Sequence, residues 1–147
     1  MGSDIITHLA IATVVVILIF DYTNGFHDAS NIVGTVIASR AMTPIQSVIV
    51  VAVFEFMGPI FGGTAVANTI GGIAKLGDLT AVVSMTVLLC GMLGSIFWNL
   101  LTWWFGIPSS SSHALVGGLV GAVLFAAGAD HVVWGFDILV EKHKLAG

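Results

Sequence analysis

The sequence predicts an all-α membrane protein, a bundle of transmembrane helices interrupted by broken or re-entrant half-helices. Three observations carry that prediction. Hydrophobic residues make up 57% of the 147 and charged residues only 8%, against about 25% charged in soluble domains. Mean hydropathy is +1.07. No Asp, Glu, Lys or Arg occurs between Asp78 and Asp130, a stretch more than twice the roughly 20 residues of one helical span. Runs such as Val14 to Phe20 do not alternate as the strands of a membrane barrel do, so the spans are helices.

A first helix is predicted from Ile5 to Tyr22. Asp4 stands where a signal peptide would carry basic residues, so this run is expected to stay as a membrane helix. Asn24-Gly25 is expected to break it, because Gly loosens the backbone and Asn competes for local hydrogen bonds. A shorter helical element follows from Asp28 to Ala41, and Thr43-Pro44 opens the next helix, Pro44 to Phe61, with a kink expected at Pro59. Gly62-Gly63 ends it. Thr64 to Ile73 reads as a half-helix and Lys75 to Asp78 as a polar turn at a membrane face. Leu79 to Ile107 is long enough for a tilted span, with Trp98, Trp103 and Trp104 forming an interfacial belt. Pro108 to His113 interrupts it, and Ala114 to Ala129 is another apolar helix. The organisation is therefore a transmembrane unit, residues 1–129, and a polar interfacial tail, 130–147. The pairs Gly58/Gly62 and Gly117/Gly121 have the spacing that permits close helix packing.

Three constellations can carry chemistry. Asn24, Asp28, Asn31, Thr35 and Ser39 recur at helical spacing and form a polar stripe, with Asp21 one element earlier and His27 beside Asp28. A charge at a membrane helix centre costs roughly 2.5–3.5 kcal/mol, so such a stripe faces a cavity or a polar partner. Asp28 has the hard oxygens that suit Na⁺ or a transferable proton; the competing reading is a hydrogen-bond network between helices. The second constellation is Ser109, Ser110, Ser111 and Ser112 before His113 at the mouth of an apolar helix. Helix N-termini present free N–H groups and partial positive charge, and the hydroxyls add donors, so this is an oxyanion receptor or else a capped surface loop. The third is Glu55, about mid-helix, either a coupling-ion position or one partner of an ion pair with Arg40 or a histidine. His27 and His113 read equally as proton-linked or framework residues. Asn68-Thr69 are weaker candidates to line a cavity.

Other classes are disfavoured. Cys90 is alone, there is no basic nucleic-acid face, no G-x-S-x-G elbow occurs and no His/Cys/Glu set has zinc spacing, so an enzyme is not expected.

The segment Asn24-Gly25-Phe26-His27-Asp28-Ala29-Ser30-Asn31, continuing to Ser39-Arg40-Ala41, resembles the first signature of the PiT inorganic phosphate transporters, roughly N-G-x-x-D-x-x-N. Val53-Phe54-Glu55-Phe56-Met57-Gly58 is similar to that family's next helix, and Gly106 to Gly118, with its serine run, to its second signature. The resemblance covers residues 15–128 and implies a secondary transporter of the cell (inner or plasma) membrane, built from two inverted repeats with substrate between them. It implies symport of inorganic phosphate with H⁺ or Na⁺ and no resident cofactor. Asp28 and Asn31 would hold the coupling ion, as a metal site if it is Na⁺, with Glu55 an acidic position in the next helix. Asn31 and Ser109 to Ser112 would bind phosphate. Asp21, Asn24, His27, Thr35, Arg40 and His113 would support them. Only one copy of each signature is present, so the chain resembles the N-terminal repeat alone. A second repeat, in this or another chain, is then expected to complete the site in a lipid-embedded homodimer or larger assembly. The alternatives are a permease for sulfate or another oxyanion, and a membrane subunit that does not transport.

Overall fold

In the computed structural model, residues 2–63, 68 and 70–135 are described. Among the described residues four α-helices carry the architecture: α1 (Gly2–Ala38), α2 (Pro44–Gly62), α3 (Ala81–Trp104) and α4 (Ser111–Ala126). No strand occurs among the described residues, and α1, α2 and α3 are long and apolar enough to cross a membrane. This is an all-α, multi-pass membrane protein.

The break expected at Asn24-Gly25 is absent. α1 runs unbroken for 37 residues, about 55 Å at helical rise. In an apolar setting each backbone group must be satisfied within its own segment. Breaking the ladder there would strand several such groups, whereas Gly inside a helix costs only about 1 kcal/mol. The helix stops instead at Ser39-Arg40. Ala41 N–H reaches Val36 O and Arg40 N–H reaches Ile37 O, both bonds of a Schellman turn, with Arg40 itself in the left-handed position at φ 56°.

Thr43 caps α2 through a full capping box with Gln46, and the helix continues through Pro59. Thr80 caps α3. Lys75 to Asp78 does form a turn, of 3-10 type over Leu76–Asp78. Residues after α4 return to that turn: Lys75 N–H donates to His131 O and Val133 N–H to Ile73 O, each at 2.8 Å. Half of the segment Thr64 to Ile73, where a half-helix is expected, lies outside the described residues, as do Thr69 and the tail beyond Gly135.

α3 and α4 form a hairpin, and α1 packs along it. The tightest crossing is Gly91 against Gly118. A Cβ on Gly118 would run into the Gly91 carbonyl and the Ser95 hydroxyl. The glycines expected to pack closely, Gly58, Gly62, Gly117 and Gly121, meet nothing within 4 Å. Phe20 of α1 packs with Met92 and Ile96 of α3, and Val87 with Val123 and Val132. The Phe20 contacts fix the register of α1 against the hairpin, and the polar residues gather at its turn.

Candidate functional site

Four buried or half-buried polar side chains from three helices meet where the α3–α4 hairpin turns. Ser111, fully buried in the first turn of α4, donates its hydroxyl to Asp28 Oδ1 of α1 at 2.7 Å. His27 Nδ1 lies 3.3 Å from the same oxygen. The other ring nitrogen, Nε2, lies 3.2 Å from Thr102 Oγ1 of α3. His27 is only 3% exposed, while Asp28 is half-buried. The adjacency of His27 and Asp28 in sequence lets one residue face α3 and the next face α4. Phe26 seals the α1–α3 contact, its ring edge-on to Trp103 at 5.5 Å.

The serine run is divided by its own helix. Ser110 is the N-cap of α4, accepting from His113 N–H at 3.4 Å, and His113 Nδ1 lies 2.8 Å from the same hydroxyl. The helix therefore starts three residues earlier than expected, and the serines form its mouth. Ser111 turns inward to Asp28. Ser109 and Ser110 instead line an outward cleft of about 440 Å³ with Trp98, His113 and the glycines of α4, and the Trp98 indole donates to Ser109 Oγ at 3.1 Å. Ser112 is exposed and lines neither. A single four-hydroxyl cradle is not what forms, because successive helical residues point about 100° apart.

The polar stripe on α1 is divided too. Asn24 is half-buried, and Asp28 joins the cluster. Asn31, Thr35 and Ser39 are exposed, and the two hydroxyls bond back to carbonyls of their own helix at 3.0 Å. Asn31 does line a 140 Å³ cleft with His27, Thr102 and Pro108, beside the cluster. Asp21 is not brought to it: that residue lines a separate, largely apolar cavity with Phe20, Met92 and Leu115. Nor is Glu55. It is exposed on α2 and lines a 300 Å³ cleft against Gly25, Ala29 and Val33 of α1. It forms no ion pair with Arg40 or a histidine among the described residues.

Two site residues escaped the sequence reading. Thr102 holds His27, and Asn99 is 1% exposed with neither its Oδ1 nor its Nδ2 hydrogen-bonded. Their signal was present: Ser95, Asn99 and Thr102 are spaced 4 and 3, a polar stripe within a charge-free helix. Among the described residues no group of three or more His, Cys, Asp or Glu side chains is placed to hold a metal. Asp28 with neutral oxygens is a donor set for a hard cation instead.

Comparison with known proteins gives a consistent answer. A profile of the phosphate transporter family matches residues 24–144. The chain is 48% identical over 123 residues to a probable low-affinity inorganic phosphate transporter of Streptomyces halstedii, covering 84% of this chain and 57% of that protein. It is 42% identical over 135 residues to a probable low-affinity inorganic phosphate transporter of Rhizobium meliloti (strain 1021), covering 91% and 39%. To the low-affinity inorganic phosphate transporter PitB of Escherichia coli (strain K12) it is 38% identical over 125 residues, covering 82% and 25%. The chain thus spans about half, or less, of the length of these relatives. All three are named as transporters rather than enzymes. No solved structure matches it.

Proposed function

The chain belongs to the phosphate transporter family, and we propose that it supplies one half of the site of a cation-coupled phosphate symporter in the plasma membrane. The observation that carries the reading is the junction of Ser111 with Asp28, which sets an anion-attracting helix mouth directly against a carboxylate. Ser109 and Ser110 open the cleft where phosphate oxygens would be received, with His113 at its wall and Asn31 in the neighbouring cleft. The N-terminus of α4 adds about half a positive charge and its free N–H groups.

Asp28 explains why a cation must accompany the anion. A carboxylate and a phosphate in one low-dielectric site repel strongly, and bare ions are expensive there. A cation on Asp28, Na⁺ or H⁺, removes the repulsion and makes anion entry favourable. Loaded together, the two move as a nearly neutral pair, which is symport. Glu55, in its own cleft between α1 and α2, is a separate second position for a coupling ion. Inverted-repeat transporters place substrate between repeats, so a second repeat would close the site from the side this chain leaves open.

The test is uptake of radiolabelled phosphate by cells that lack their own phosphate carriers. They would express the chain alone or with the C-terminal half of one of its relatives. Uptake is expected with the second half, saturable, and with a raised KM when Ser109 and Ser110 are changed to Ala. Uptake that sulfate suppresses better than phosphate would transfer the reading to a sulfate permease. No uptake of either anion with the second half present would leave a non-transporting subunit.

A further inference from the structure

We propose that Trp98 is a positioning residue of the anion cleft: its indole N–H turns the Ser109 hydroxyl so that the single hydrogen of that group faces an incoming oxyanion. The proposal rests on the phosphate reading above and adds to it a residue outside both sequence signatures. By sequence Trp98 belongs with Trp103 and Trp104 to an interfacial belt, where an indole N–H meets water or lipid headgroups. In the structure its partner is protein. Trp98 Nε1 donates to Ser109 Oγ at 3.1 Å, across the turn between α3 and α4, and both residues line the cleft of about 440 Å³.

The consequence lies in the hydrogen count. An indole N–H only donates, whereas a hydroxyl has one hydrogen and two lone pairs. Trp98 therefore occupies a lone pair of Ser109 and cannot take its hydrogen. Among the described residues no protein acceptor takes that hydrogen either. The other serines of the run differ. Ser111 gives its hydrogen to Asp28. Ser110 takes the His113 N–H and meets the ring of the same residue at 2.8 Å. Ser112 is exposed. Half-buried Ser109 is thus the cleft serine whose hydrogen is left for a ligand, and a spare hydrogen calls for an acceptor such as an oxyanion oxygen. The donor behind it strengthens its own donation, since linked hydrogen bonds polarise one another.

The frame around Trp98 holds the ring in place before any anion arrives. Its carbonyl accepts from Thr102 Oγ1 at 2.9 Å. Three residues earlier, Ser95 Oγ ties α3 to Ala114 O of α4 at 3.0 Å. Ile107 N–H closes the end of α3 on Thr102 O at 2.8 Å, which sets where the chain leaves toward Ser109. The hydroxyl is then oriented in advance, and little ordering is left to be done on binding.

The test is a double-mutant cycle of Trp98→Phe and Ser109→Ala in the complemented uptake system, with KM and Vmax for phosphate read separately. Phe keeps a ring and loses the N–H. Trp98→Phe is expected to raise KM roughly three- to tenfold, the worth of one neutral hydrogen bond. Vmax should stay within about twofold, the mark of lost binding rather than lost turnover. In the Ser109→Ala background the same change should move KM by less than about twofold, because the hydroxyl it orients is gone. The unfolding midpoint of Trp98→Phe, reconstituted in lipid nanodiscs without phosphate, is expected at the wild-type value. An unchanged KM in Trp98→Phe overturns the proposal. An equal rise in both backgrounds overturns it too, as does a rise that comes with a lowered midpoint, since the indole would then act by packing. Absence of phosphate uptake by the wild type removes the phosphate reading itself, and the role of Trp98 with it; uptake by the wild type with any of the other failures removes Trp98 alone.

Discussion

Asp28 and Glu55 are both acids inside apolar helices, yet the structure treats them oppositely. Asp28 sits in a seam closed by three helices, accepts a hydrogen bond from a residue 83 positions away and has a buried histidine beside it. Glu55 sits on α2, a helix of which only Ser47 is buried and whose Phe54, Phe56 and Phe61 are each more than two-thirds exposed. The lesson is that a charge in a membrane helix marks a surface that something else must cover. At Asp28 part of the cover is within the chain. At Glu55 the cover would be lipid or, on the function proposed above, a second repeat, and α2 is the face on which to look for one.

The comparison can be broken at several points, and the largest effect is expected at Asp28. Asp28→Asn removes the charge while keeping a hydrogen-bond acceptor for Ser111, so the fold should survive. Cation-driven phosphate uptake in the complemented system should fall by about 100-fold, roughly the upper worth of a charge-assisted contact. Uptake within a few-fold of wild type would place the coupling ion elsewhere.

Next comes the helix crossing that holds the seam together. Gly118→Ala should destabilise the reconstituted chain by about 1–3 kcal/mol, because the methyl group meets the Gly91 carbonyl and Ser95. Gly117→Ala, where nothing lies within 4 Å, should stay within about 0.5 kcal/mol of wild type. Equal losses at the two glycines, read by thermal unfolding, would mean the helices do not cross there.

Ser111→Ala and Ser112→Ala separate the inward serine from its exposed neighbour. The first leaves Asp28 without its donor and should cost about 1–2 kcal/mol in stability. The second should cost less than about 0.5 kcal/mol. A reversed order would put the wrong serine in the seam. The smallest effect is expected at Glu55→Gln, with stability unchanged within about 0.5 kcal/mol and uptake lowered less than by Asp28→Asn. A loss at Glu55 as large as at Asp28 would make the two sites one.

Much of this was legible in the residues. The run of apolar segments placed α2, α3 and α4 in their order, and the serine-before-helix pattern located the mouth of α4. Asp28 and Ser111 were both singled out, though not as partners, since nothing in sequence spacing says which residues 83 apart will touch. The unbroken α1 was not legible at Asn24-Gly25, where local preferences favour a break and the apolar surroundings overrule them. Ser109 to Ser112 looked equivalent because four identical residues carry no sign of which way each faces. Asn99 and Thr102 were overlooked because they are uncharged, although their spacing with Ser95 is the same signal that exposed Asp28. The close glycine pair was missed because its members lie on different helices.

The central claim is that Asp28 couples a cation to phosphate. Its most direct test is phosphate uptake by the complemented chain under an imposed cation gradient, wild type against Asp28→Asn. Uptake that follows the gradient in the wild type and neither follows it nor reaches the same rate in the variant is the expected result. An Asp28→Asn protein whose uptake keeps the wild-type rate and the same dependence on the gradient would contradict it.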